Sequence, residues 1–150
     1  MHKPIPLIIV AGYLGAGKTS LVRHLLPAFD ATNRKGLLLV NEAGDINIDG
    51  AMLGNARLEQ LELLGGCACC SMRGDLFASL MEGLDTYNPD YIVLESSGLA
   101  DPAELIDAAT ADPLPSRLQV TDVVVVVDAA NLEQQLRLSK LAQLQLRFAS

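Results

Sequence analysis

The sequence predicts a three-layer α/β fold, a mostly parallel sheet with helices on both faces. Three observations carry that expectation. The apolar residues come in short unbroken runs, IPLIIVA (5–11), GLLLVN (36–41), YIVLE (91–95) and DVVVVVD (122–128). Strands that read as continuous apolar runs are buried on both faces, the situation of a parallel sheet. Between the runs lie segments of helical periodicity, and strands that alternate with helices imply crossover connections and parallel pairing. Finally, 150 residues, half of them hydrophobic, supply the core of about one domain, spanning 1–150.

The elements follow in order. Residues 5–11 form a buried strand. In 17–29 a helix places Leu21, Val22, Leu25, Leu26 and Phe29 on one face, with Pro27 suiting a terminating turn. A strand over 36–41 leads to the polar, glycine-marked loop EAGDINIDGAMLGN, and a short strand is expected around 57–64. Met72, Leu76, Leu80 and Leu84 recur every fourth residue, which marks a helix. After the strand at 91–95 come a short helix near 101–110, a strand at 122–128 and a closing helix from Asn131 to about Arg147. Repeats and low-complexity tracts are absent.

Charge excludes some partners. With 11 basic and 18 acidic residues the formal net charge is −7, which repels phosphate backbones and anionic bilayers. Neither nucleic acid nor membrane is expected as a partner. PIPLIIVAG is too brief and too proline-broken to span a bilayer, and it lacks a small-residue cleavage site. The expectation is a soluble cytoplasmic protein in a reducing compartment.

In doubly covered parallel sheets, ligands sit at the carboxyl ends of the strands. There, Gly12-Tyr13-Leu14-Gly15-Ala16-Gly17-Lys18-Thr19 matches G-x-x-x-x-G-K-[ST] between a strand and a helix. Small residues let backbone N–H groups curl around phosphate oxygens, and the helix N-terminus adds partial positive charge. Gly12, Gly15, Ala16, Gly17, Lys18, Thr19 and Ser20 are the expected cradle of a nucleoside triphosphate. Lys18 would reach the β- and γ-phosphates, and the Thr19 hydroxyl would ligate Mg²⁺. Glu95, ending another strand, is expected to help hold Mg²⁺, and Gly98 lets a backbone N–H approach the γ-phosphate. Asp128 ends a further strand and reads equally well as a solvated carboxylate.

All three cysteines, Cys67, Cys69 and Cys70, fall within four positions of GGCACCSMRGDL. In a reducing compartment such a cluster is not a disulfide framework. It reads as a metal site, a redox pair or small buried residues. Three thiolates with one carboxylate would make a tetrahedral soft-metal site, suited to Zn²⁺ first and to Co²⁺ next. Glu42 follows the second strand, in the loop Asn41-Glu42-Ala43-Gly44-Asp45, at the same sheet end as the cradle. Neither His2 nor His24 is expected to ligate. Arg73-Gly74-Asp75 spells an adhesion tripeptide, but at a helix start Asp75 is explained by the helix dipole.

Taken together, GYLGAGKTS, NEAGDINID, LLGGCACCSMRGDL and ESSGLADP resemble, in type and order, the CobW-like P-loop GTPases, relatives of the nickel chaperones of urease and hydrogenase maturation. The resemblance spans residues 5 to about 130. It implies a three-layer P-loop NTPase fold and a GTP-hydrolysing metallochaperone that uses GTP/GDP and Mg²⁺. Such a protein carries zinc, or cobalt, to a client metalloprotein, and a nucleotide-dependent homo-oligomer fits it as well. The resemblance further implies that Cys67, Cys69, Cys70 and Glu42 are the metal ligands, and that Lys18, Thr19 and Glu95 serve phosphate and magnesium. The family's guanine-reading Asn-Lys-x-Asp would come on the next strand, whereas this sequence ends at Phe148-Ala149-Ser150. A domain truncated before that strand, lacking the family's C-terminal domain and carrying an unpaired sheet edge, is therefore expected. Guanine preference rests on the resemblance alone. Two rival readings are a P-loop small-molecule kinase and a non-catalytic module that senses nucleotide and metal. A kinase needs arginines to clamp the transferring phosphoryl group, and the sequence has no arginine-rich lid segment.

Overall fold

The computed structural model describes residues 3–31, 33–40, 58–62 and 72–150. Strands β1 (Ile5–Ala11), β2 (Gly36–Val40), β3 (Leu58–Glu62), β4 (Tyr91–Glu95) and β5 (Leu118–Val125) form one sheet in the order β3-β2-β4-β1-β5. Every pairing is parallel. Among the described residues, helices α1 (Lys18–Asp30), α2 (Met72–Tyr87), α3 (Pro102–Ala109), α4 (Leu132–Leu138) and α5 (Lys140–Arg147) accompany the sheet, with a 3₁₀ turn at Leu114–Ser116.

The unbroken apolar runs have the structural cause expected of them. In β2 and β4 all five residues are buried, so both sheet faces are covered. Leu37, Leu39, Ile92, Leu94, Leu7 and Ile9 turn to one face, where they meet Leu76, Leu80 and Leu84 of α2 and Leu105 of α3. Leu38, Val40, Tyr91, Val93 and Val10 turn to the other face and pack with Val22 of α1. The every-fourth-residue repeat in α2 is thus the stripe that seals the larger core.

Four expectations need correcting. The last strand lies at 118–125 rather than 122–128. It starts earlier because β5 is an edge strand, so polar Gln119, Thr121 and Asp122 can pair with β1 and still reach solvent. Its register with β1 slips between Leu7 and Ile8, which lets Thr121 bulge. The valine run misled because it suggests burial on both faces; Val124 and Val127 are each 39% exposed. Second, Pro27 lies inside α1, which continues to Asp30. A proline forfeits its own N–H bond, yet its carbonyl still accepts from Ala31 N–H at 3.1 Å. Third, Leu25 is exposed and does not join Val22 in the core. Fourth, the closing helix is two helices. Ser139 takes an extended backbone, ends α4 by donating its N–H to Gln135 O, and caps α5 by accepting from Ala142 N–H through Oγ.

The edge of β5 is not bare. Ser150 N–H donates to Val123 O at 3.1 Å, and Val123 N–H donates to Ser150 Oγ at 3.0 Å.

Candidate functional site

A parallel sheet brings all its strand ends to one edge. Val10 and Val40 both lie in register with Glu95, so the exits of β1, β2 and β4 are adjacent. Glu62, the last residue of β3, lies beside Val40. The chain leaves β1 at Ala11 and turns at once into the glycine-rich loop.

That loop wraps tightly for local reasons. Gly12, Gly15 and Gly17 have φ of 143°, 73° and 98°, values that L side chains rarely adopt. A Cβ on Gly12 would also lie 2.3 Å from Val126 O, because the chain just past β5 presses against the loop. Ala16 N–H donates to Tyr13 O at 3.1 Å, and Lys18 Nζ donates to the same oxygen at 3.4 Å. Lys18, largely buried, therefore lies back across the loop it follows. Helix α1 begins at Lys18 with no acidic residue in its first turn. The positive end of its dipole sits beside the loop, which favours an anion there.

Opposite the loop stands Glu95, buried at the end of β4. Its Oε1 accepts a short hydrogen bond from Thr19 Oγ1, joining residues 76 positions apart. A hydroxyl and a carboxylate side by side are hard oxygen donors of the kind that suit Mg²⁺. After Glu95 the backbone is tied to β1, since Ser96 N–H donates to Val10 O at 3.0 Å and Ser96 Oγ to the same oxygen at 3.2 Å. Gly98 then packs against the loop so closely that a Cβ would lie 2.8 Å from both Leu14 N and Leu14 Cα. The structure thus brings Gly12, Gly15, Ala16, Gly17, Lys18, Thr19, Ser20, Glu95 and Gly98 to one edge.

Other residues that drew notice in the sequence have separate fates. Glu42, Cys67, Cys69 and Cys70 lie outside the described residues, as do His2 and Asp45. Asp128 serves a local turn: its carboxylate accepts from Asn131 Nδ2 at 2.7 Å and from Ala130 N–H at 3.1 Å. The Asn131 side chain holds that carboxyl below the usual range, opposed by desolvation and aided by the Ala130 and Asn131 backbone N–H groups. Arg73 pairs with Asp107 on α3 at 3.8 Å, and Asp75 lies in the first turn of α2. His24 is exposed on α1. Sequence reasoning missed three contributors. Val126 and Leu14 matter through backbone approach, and the glycines opposite them were the only signal. Gln145 reads as one more polar position of an amphipathic helix, yet it is fully buried and donates to the chain after β4.

Fold and site together define a P-loop nucleotide-binding domain. Residues 6–150 match the CobW/HypB/UreG nucleotide-binding domain, and the chain belongs to that family. Among curated proteins it is 38% identical over 133 residues to the "Zinc chaperone CobW" of a Sinorhizobium species, covering 84% of this chain and 37% of that protein. It is 32% identical over 152 residues to the "Zinc chaperone YjiA" of Escherichia coli K12, covering 97% and 47%. The crystal structure of Zn(II)-bound YjiA GTPase from E. coli superimposes with a TM-score of 0.70 at 26% identity, covering 99% of this chain and 48% of that one. The chain therefore spans less than half the length of these relatives.

Proposed function

We propose that this chain is the nucleotide-binding domain, residues 1–150, of a GTP-hydrolysing metallochaperone whose cargo is zinc, with cobalt as an alternative cargo. The observation that carries the reading is the wrapped loop at Gly12–Thr19, with Lys18 across it and Thr19 bonded to buried Glu95. Its backbone N–H groups and the start of α1 bind the phosphates of GTP, and Lys18 leaves Tyr13 O to meet the β- and γ-phosphates. Thr19 Oγ1 and the Glu95 carboxylate would hold Mg²⁺, which when bound supplies positive charge to the phosphate oxygens. Gly98, lacking a side chain, leaves its N–H open to the γ-phosphate side. No residue stands out in the sequence to position an attacking water, so hydrolysis is slow or partner-stimulated. Guanine over adenine is supported by relatives named as GTPases.

The cargo half of the reading assigns zinc to Glu42, Cys67, Cys69 and Cys70. It is supported by the donor chemistry, three thiolates and a carboxylate, and by the frame around them. Strand β3 ends at the carboxyl edge beside Val40. Helix α2, 16 residues and so about 24 Å long, returns to the start of β4 at the other edge. The cysteine stretch connects these two elements. Relatives named zinc chaperones support the same cargo. A client metalloprotein receives the ion, the setting is cytoplasmic, and nucleotide-dependent self-association accompanies the cycle. Among the described residues, no helix is long and apolar enough to cross a membrane.

The test is the fate of the γ-phosphate of GTP in the full-length protein, with zinc and a client present. Slow release of inorganic phosphate is expected. Transfer to a small acceptor would make the protein a kinase, and zinc binding with no turnover would make it a sensor.

A further inference from the structure

Gln145 is the one fully buried polar side chain of α5, with 1% of its surface exposed. A long amide at such a site costs stability unless its polar atoms find partners. Its Nε2 has two: it donates to Gly98 O at 3.3 Å and to Ala100 O at 3.1 Å, across 47 and 45 positions of sequence. Both partners are carbonyl oxygens, which only accept, so the amide nitrogen must face them.

The two carbonyls flank Leu99 in the turn that follows β4. That turn is already fixed from the β1 side by Ser96 and closed by Ala100 N–H to Ser97 O at 3.0 Å. On its other flank Gly98 touches Leu14 of the glycine-rich loop. A movement of Gly98 toward or away from a phosphate must therefore carry Gln145 with it or break a buried hydrogen bond, and a movement of the whole turn would break two.

We propose that Gln145 is a positioning residue that sets Gly98 for the γ-phosphate and couples the nucleotide state to the position of α5. This rests on the nucleotide reading above. The helix on which Gln145 sits leads directly to Ser150 at the edge of β5. The γ-phosphate is thereby reported to α5 and to the edge of β5.

Affinities for Mg²⁺-GDP and for a non-hydrolysable Mg²⁺-GTP analogue, measured on the full-length protein with and without Gln145→Leu, test the assignment. Leucine fills the space but leaves both carbonyls without their donor. The preference for the triphosphate is expected to fall about tenfold, equivalent to about 1.4 kcal/mol, while GDP, held by the glycine-rich loop, loses much less. An unchanged ratio in a folded Gln145→Leu protein overturns the inference and leaves the nucleotide reading intact. Wild-type protein that binds neither nucleotide overturns both. If the variant does not fold, hydrogen exchange on the wild-type protein decides: amides of Gly98–Ala100 and of α5 should gain protection together when the analogue replaces GDP. A change confined to the turn overturns the coupling.

Discussion

Lys18→Ala is expected to weaken binding of GTP and GDP on the order of 100-fold, about 3 kcal/mol, the upper range for a hydrogen bond to a charged group. In the proposed site the lysine would supply a cation to the phosphates, from a position that buries most of its side chain. Charge-assisted bonds of this kind are roughly twice as strong as neutral ones. The fold should survive the change. Tyr13 O loses one donor but keeps Ala16 N–H, so the turn inside the loop stays closed. Titration with a fluorescent GTP analogue measures the loss, and a urea transition checks that the protein remains folded. Zinc affinity in the absence of nucleotide should be unchanged. A variant that bound GTP as the wild type does would remove Lys18 from the phosphate site.

Cys69→Ser and Cys70→Ser should do the reverse. A serine hydroxyl stays protonated near neutrality and is a poor zinc donor, whereas a thiolate is a strong one. Tetrahedral zinc sites are worth about 10–16 kcal/mol in total. Loss of one ligand in four thus points to a fall in zinc affinity on the order of 100-fold. Chelator competition measures it. Nucleotide affinity without metal should be preserved, because the glycine-rich loop and Glu95 belong to β1 and β4 while the cysteines fall between β3 and α2. Equal zinc affinity in the two variants would remove these thiols from the metal site.

The contrast between these two groups of residues shows what a sequence reveals. The glycine-rich loop was legible because its chemistry is contiguous: strand, glycines, lysine, hydroxyl and helix follow one another without a break. Strand β4 was read correctly at 91–95, and α2 through Leu76, Leu80 and Leu84, because burial imposes a pattern on consecutive residues. Where burial is partial the pattern weakens. Strand β5 alternates polar and apolar residues at a sheet edge, so its first half went unread and its valine run was overextended. Ser139 was hidden for another reason: one extended residue breaks a helix without disturbing the periodicity around it.

Long-range closeness was the least legible. Gly98 against Leu14, Gly12 against Val126 and Gln145 against the turn after β4 depend on how separate elements dock. No local pattern encodes them. The bond from Thr19 to Glu95 is an intermediate case. Each residue could be singled out by its place at a strand end or helix start, but their pairing follows from the register of β1 with β4.

A GTP-driven zinc carrier, the function proposed above, requires that nucleotide and zinc communicate. If Mg²⁺-GTP orders the loop bearing Glu42 and hydrolysis releases it, the two ligands must be reciprocally coupled. Zinc affinity of the full-length protein, by chelator competition with Mg²⁺ and a non-hydrolysable GTP analogue and again with Mg²⁺-GDP, tests this most directly. A difference of at least about tenfold, equivalent to about 1.4 kcal/mol of coupling, is the predicted result; equal affinities in the two nucleotide states would contradict it.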